Sequence, residues 1–270
     1  MDQQYFDQLI NDVQRSKKYR DLDLPTEMLR ELLSTEIAKT ASKAEITQAF
    51  RKKLHNIVAP YLENIDYPEE TRILSGLAQS APEENALKAW ARSVMTKHAS
   101  TCERLPYLEN FFGTIFQYTG AVTNILDLAC GLDPLMLPWM NLSATQSFSA
   151  FDIHKPRVDF LNQFFSLFYP NARAIHQDIL VQTPSEPADC AFFFKEAHRF
   201  EKRQPGCNQG FFDRLNVKTI VVSLPANDLA GHHSLVTYHT NLILKSVEGF
   251  AWQLERAQVG DELLFFIHKS

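Results

Sequence analysis

Ile125-Leu-Asp-Leu-Ala-Cys-Gly131 reads as a short buried strand running out into a glycine turn. A glycine there lets the backbone pass close to a ligand with no Cβ in the way. One glycine after a strand means little by itself, and its neighbours give it weight. Thr123–Ala129 is the first of five short apolar runs. The others are Ser147–Asp152, Arg173–His176, Cys190–Phe194 and Thr219–Leu224. Helical stretches near Pro134–Met140, Lys155–Phe168, Gln209–Leu215 and Tyr238–Val247 lie between or after them. Strand–helix alternation builds a parallel sheet covered on both faces. The tail breaks the pattern. Trp252–Ala257 and Glu262–His268 flank Val259-Gly260-Asp261 and read as an antiparallel hairpin. The expected fold is therefore α/β, a Rossmann-like sheet that is mostly parallel with an antiparallel last strand.

Upstream of the pair Leu105-Pro106 the chain reads as helical. Thr26, just after Pro25, precedes the stripe Met28, Leu29, Leu32, Leu33. Ser42 and Glu45 form a capping box that opens a helix through Ile46, Phe50, Leu54, Ile57 and Val58. Pro68-Glu-Glu and Pro82-Glu-Glu each look like a first helical turn, with carboxylates at the positive dipole end. Their helices are expected to reach about Gln79 and His98. A helix over Tyr107–Tyr118 leads to Gly120. The expected division is a helical N-terminal subdomain, 1–105, and a sheet domain, 106–270.

Composition narrows the function class. The chain has 270 residues and a net charge of −5, which argues against a generally basic nucleic-acid binder. Its cations are nonetheless clustered, as Arg15, Lys17, Lys18 and Arg20 and as Arg51, Lys52 and Lys53. A local patch can hold phosphates on a mildly acidic protein, although such a cluster alone is also an ordinary solvated helix face. Cys102, Cys130, Cys190 and Cys207 form no CxxC pair and no zinc spacing, so free thiols and no metal are expected. No run approaches the roughly 18–20 apolar residues of a membrane span. The first residues are too polar for a signal peptide, and a cytoplasmic location is expected.

In open α/β sheets ligands bind outside the carboxyl ends of the strands. Asp127-Leu-Ala-Cys-Gly131-Leu-Asp133-Pro134 lacks the glycines that press a pyrophosphate onto a helix, so a nicotinamide dinucleotide fits poorly. Asp152, 25 residues after Asp127, ends the next strand. It is placed to accept from two ribose hydroxyls, with Ile153 beside it for adenine. Asp178-Ile179 follows one strand later, where a carboxylate can accept from an adenine amino group. Each aspartate alone is as easily a helix cap or turn residue. Carboxylates spaced one strand–helix unit apart point to a nucleoside pocket.

These residues also carry a resemblance. His98-Ala-Ser-Thr-Cys-Glu-Arg-Leu105, Ile125-Leu-Asp-Leu-Ala-Cys-Gly-Leu-Asp-Pro134 and Asp152-Ile-His154 resemble the aminoglycoside-resistance 16S rRNA methyltransferases, the Arm/Rmt family. Ser16-Lys-Lys-Tyr-Arg20, Leu54-His55 and Ala59-Pro-Tyr-Leu62 are similar to that family too. The resemblance implies a class I methyltransferase that uses S-adenosylmethionine to methylate guanine N7 at position 1405 of 16S rRNA in the 30S subunit. It implies that His98, Ala99, Ser100 and Arg104 line the methionine end, Arg104 pairing the donor carboxylate through its planar fork. Ala129 and Gly131 would touch the same end. Asp152 and Ile153 would hold ribose and adenine, with Asp178 and Ile179 on the adenine. Tyr61, Lys195 and Gln204 fall at further pocket positions. The cations at 15–20 and 51–53 would contact rRNA phosphates, and the protein would act as a monomer away from membranes.

The resemblance breaks on the acceptor side. The family's glycine-rich basic loop is replaced by Leu229-Ala-Gly-His-His-Ser-Leu-Val236, where His232 and His233 supply only part of a cationic function at neutral pH. Glu196-Ala-His198-Arg199 stands where the family has apolar residues and a proline. A methyltransferase with the same donor site and a different acceptor, another RNA nucleotide or a small molecule, is therefore the alternative. A non-catalytic RNA-binding module is a third reading. For guanine N7, whose lone pair is free, no catalytic base is expected, and alignment carries the rate. The base would be flipped onto an aromatic or apolar surface, with Phe193, Phe194 and Phe200 as candidates.

Overall fold

The structure is a computed structural model that describes residues 3–39, 42–59, 65–80, 82–142, 145–228 and 231–269. Its strands are β1 (Asn124–Leu128), β2 (Ser147–Asp152), β3 (Ala172–His176), β4 (Ala188–Phe194), β5 (Val217–Pro225), β6 (Gln253–Val259) and β7 (Glu262–His268). They form one sheet in the order β3-β2-β1-β4-β5-β7-β6. β1 to β5 pair in parallel, while β7 runs antiparallel to both β5 and β6. The chain builds outward from β1 through β2 to β3, then crosses back to place β4 on the other flank. The order therefore reverses between β1 and β4, which opens a crevice at their carboxyl ends.

Alternation along each strand sorts its side chains to two faces. Leu126, Leu128 and Phe193 enter one core cluster with α11 (Cys207–Arg214) and α12 (Val236–Ser246). Ile125, Phe192 and Phe194 enter another with α7 (Leu108–Thr119) and α9 (Lys155–Phe168). The expected helix at Pro134–Met140 starts as a 3-10 turn, Asp133–Met136, and continues as α8 (Leu137–Met140).

The helices upstream are α1 (Gln3–Gln14), α2 (Thr26–Ile37), α3 (Lys43–Val58), α4 (Tyr67–Gln79), α5 (Glu84–Met95) and α6 (Ala99–Arg104). Ser42 caps α3, its hydroxyl accepting from the Glu45 N–H at 3.4 Å. α5 ends at Met95, a turn short of the expected His98.

The cores do not divide at residue 105. α1, α2 and α3 enclose a cluster of their own, Leu9 to Val58. α4 and α5 instead bury Tyr67, Leu74, Leu87 and Trp90 in the same cluster as Ile125, Phe148 and Phe192 of the sheet. Trp90 meets Phe160 and Phe164 of α9. A helical stripe in sequence shows that one face is buried and not which core it faces, so the boundary between cores falls between α3 and α4.

Candidate active site

A cavity of about 600 Å³ opens at the carboxyl ends of β1 and β2. Ala129 lies at its base, with Asp152 and Ile153 after β2 and Gln177, Asp178 and Ile179 after β3. Lys53, Asn56, Ile57 and Ala59 of the α3 segment form one wall, and the segment Glu196–Arg203 supplies further lining residues. That segment is largely α10 (Ala197–Arg203), a helix the strand–helix pattern did not reveal.

Two residues bend sharply at the strand ends. Ala129 has φ 55° and Lys195 φ 59°, left-handed values that side chains resist. They turn the chain out of β1 and β4 on the two sides of the crevice. Gly131, also left-handed at φ 55°, would place a Cβ 3.0 Å from the His98 ring. The close approach that calls for glycine is thus to His98 itself. Burial, reinforced by nearby guanidinium groups, pushes the His98 imidazole down to about 2, so it is neutral. Its Nδ1 lies 3.2 Å from the Ser100 hydroxyl on α6.

Arg104 is fully buried at the end of α6. Its Nε and Nη2 donate to the two Glu262 oxygens at 2.9 Å each, and Nη1 donates to Asp133 at 2.8 Å. Ser223 and the Met136 sulfur accept the remaining contacts. The guanidinium carbon lies 4.3 Å from the Phe111 ring centroid and 4.8 Å from that of Phe194, two rings that meet each other edge to face. Arg104 is expected to pair the donor carboxylate; here its fork contacts Glu262 and Asp133, and it stands behind the residues lining the cavity. Lys195 belongs to the same cluster. Its ammonium donates to Glu103 at 2.6 Å and to the Ser100 carbonyl at 3.3 Å, and lies 3.3 Å from Glu262. Burial opposes the Glu262 charge, yet Arg104 and Lys195 hold its carboxyl below the usual range.

Asp152 is buried and fixed from three sides. One oxygen accepts from the Gly131 N–H at 3.0 Å and from Arg157 at 3.2 Å, and the other accepts from the His154 N–H at 2.8 Å. Arg157, fully buried, also donates to the Tyr67 hydroxyl at 3.1 Å, which ties α4 to the ribose-side aspartate. Asp178 accepts from the Leu180 and Val181 N–H groups and pairs with Arg203 at 2.7 Å. Arg203 in turn reaches Glu31 of α2 at 3.0 Å.

The sequence places Asp127 in the glycine segment without marking it as a site residue. Both its oxygens are buried with no hydrogen-bond partner among the described residues. Burial, and then Asp133, push its carboxyl well above the usual range. A carboxyl alternating with strand leucines was the available signal. Glu262 and Arg157 were also missed, since nothing local in the sequence says which strands and helices bring them here.

Other expectations fare differently. Ile153, Ile179 and Phe200 line the cavity, while Phe193 and Phe194 are packed in the two cores and offer no stacking surface. Gln204 is exposed at the end of α10 and does not line the cavity. Ala99 starts α6 without lining it either. Tyr61, Leu229 and Ala230 lie outside the described residues. Arg15, Lys17, Lys18, Arg20, Arg51 and Lys52 are exposed. Lys53 departs from that group: it turns inward to line the cavity and lies 3.6 Å from Glu36. His232 and His233 are exposed on a turn in which the Asp228 carboxylate accepts from the His232 N–H.

Known proteins share this architecture. The chain is similar to a 16S rRNA (guanine(1405)-N(7))-methyltransferase of Micromonospora rosea, 28% identical over 266 residues, covering 97% of this chain and 96% of that protein. The solved structure of the 16S rRNA methylase RmtB superposes with a TM-score of 0.77 at 25% identity, over 98% of each chain. The 16S rRNA methyltransferase RmtF, solved with S-adenosyl-L-homocysteine, shares the fold with a TM-score of 0.80 at 24% identity, over all of both chains. The family model for ribosomal RNA methyltransferases (FmrO) matches residues 15–267. With that match spanning both the helical region and the sheet, the chain belongs to the ribosomal RNA methyltransferase (FmrO) family.

Proposed function

We propose that the chain is a 16S rRNA (guanine-N7) methyltransferase that modifies nucleotide 1405 in the 30S subunit and thereby confers aminoglycoside resistance. It would act as a cytoplasmic monomer. The observation that carries the reading is the cavity at the β1–β4 crevice, where Asp152 and Asp178 sit at successive strand ends. Names of relatives agree with it over nearly the full chain. Among the described residues no helix is long and apolar enough to cross a membrane.

The residues present fit S-adenosylmethionine. Ile57, Ile153, Ile179 and Phe200 give adenine an apolar slot, and Asp178 stands within it as an acceptor. Asp152, though fixed by three donors, retains acceptor capacity for ribose hydroxyls. The unpartnered Asp127 carboxyl suits the ammonium of a methionine end, and a cation there would offset the cost of burying it. When bound, the donor supplies a methyl group on sulfonium sulfur. The protein contributes alignment and exclusion of water. Guanine N7 attacks with its own lone pair, so no side chain needs to take a proton. In A-form RNA that edge lies in a groove side chains reach badly, hence the flipped base.

Purified 30S subunits incubated with labelled donor test the reading, followed by primer extension across the decoding site. The expected result is label in 16S rRNA and a stop at the target guanine. Unlabelled subunits overturn it. Expression in a susceptible bacterium should raise gentamicin and kanamycin resistance and leave apramycin sensitivity unchanged. The second reading, a different acceptor, is favoured by the exposed His232 and His233, which stand where the family has its basic loop. It predicts donor binding with unlabelled 30S subunits.

A further inference from the structure

The left-handed turn at Lys195 directs the chain away from β4 so that Glu196 joins the cavity lining next to Ala129 and Asp152. The Glu196 side chain is only 14% exposed. Its Oε1 lies 3.2 Å from Nη1 of Arg199, three residues on, and Arg199 lines the same cavity at 41% exposure. A carboxylate and a guanidinium thus stand side by side at the crevice, acceptors next to donors.

That pattern has a complement among the bases. Guanine presents the N1–H and the N2 amino group as adjacent donors, with the O6 acceptor beside them. Adenine, cytosine and uracil do not place two neighbouring donors on that edge. Flipped bases are read by hydrogen bonds to this edge. N7 lies across the purine from N1 and N2, so a guanine held there by its Watson–Crick edge turns N7 away from Glu196 and into the remaining space of the cavity. We infer that Glu196, braced by Arg199, is a specificity-determining residue that reads the flipped target guanine. Its carboxylate accepts from N1–H and N2, and the Arg199 guanidinium donates to O6. This rests on the methyltransferase function proposed above and assigns acceptor choice to the start of α10 as well as to the 229–236 segment.

The test compares wild type, Glu196→Gln and Arg199→Ala, with thermal melting as the folding control. Donor affinity is measured by calorimetry. Methylation is measured against concentration of 30S subunits carrying guanine or adenine at the target position. A bidentate base contact is worth about tenfold or more in discrimination. The expected result for Glu196→Gln is therefore a loss of about tenfold in kcat/KM on the guanine subunits, with donor Kd within about twofold of wild type and a reduced preference over adenine. Arg199→Ala, at an exposed position, should lose less, in the same direction. Unchanged kcat/KM in Glu196→Gln overturns the assignment alone. So does a parallel fall in donor affinity, which would place Glu196 in the donor site. A wild type that leaves both kinds of subunit unmethylated overturns the proposed function and this assignment with it.

Discussion

Two groups of charges flank the crevice, and they are built in opposite ways. Behind the strand ends, Arg104, Glu262, Asp133 and Lys195 pair with one another until the guanidinium has no contact to spare. Along α10, Arg199 and Lys202 border the cavity from exposed positions. The first group holds the ends of α6, β4 and β7 in one place. The second keeps capacity for something else. Buried charge that is saturated makes a frame, whereas charge left at a rim makes a recognition surface.

The largest effect that could break this contrast is on folding. Glu262→Ala removes the bidentate partner of a fully buried guanidinium and should cost about 3–5 kcal/mol in urea denaturation. A cost near zero would mean the frame is not a frame. Next, Asp152→Asn should weaken donor binding about tenfold or more by calorimetry, because hydrogen bonds to a charged group are lost. An unchanged Kd would remove Asp152 from the pocket.

The half-buried Glu196, which pairs with Arg199 of the rim, responds to pH. Burial raises the Glu196 carboxyl to about 7, against the lowering pull of Arg199. Asp152 and Asp133 raise it further, and Arg157 lowers it. The acceptor pair is therefore complete above that pH and lost below it. Expected is a kcat/KM for 30S subunits that climbs through about 7 in wild type and lacks that limb in Glu196→Gln. The stability contribution runs the other way. The folded state holds a proton that the unfolded chain releases above the ordinary value of 4.5, so this contribution is present at low pH and lost as pH rises toward about 7. Urea melts across that window check the sign. The smallest effect on the molecule itself comes from Lys17/Lys18→Glu. Both sites are exposed, so stability should stay within about 0.5 kcal/mol and donor affinity should hold. Binding to 30S subunits should weaken, with a shallower salt dependence. Loss of donor affinity as well would erase the division between an outer docking face and the donor site.

Most of the sheet was legible in sequence because strand–helix alternation is a local signal, and the glycine hairpin announced β6 and β7. Asp152, Ile153, Asp178 and Ile179 were legible for the same reason: strand ends can be counted. Contacts between segments far apart in sequence were not. Arg104 meets Glu262 across 158 positions, and no periodicity reports such a pairing. Lys53 looked like its neighbours Arg51 and Lys52. One step along a helix is about a quarter turn, enough to carry a side chain from solvent to cavity.

That quarter turn gives α3 a double allegiance. Arg51 and Lys52 face outward, while Lys53, Asn56 and Ile57 touch the space where the donor would sit. A helix over this length moves as one body, so any displacement of its outer face by a docked ribosome is also a displacement of the donor wall. Thermodynamic reciprocity then fixes the converse: whatever factor the subunit imposes on donor affinity, the donor imposes on subunit affinity. Donor-loaded and empty protein would then differ in their affinity for the subunit by that same factor, through one helix.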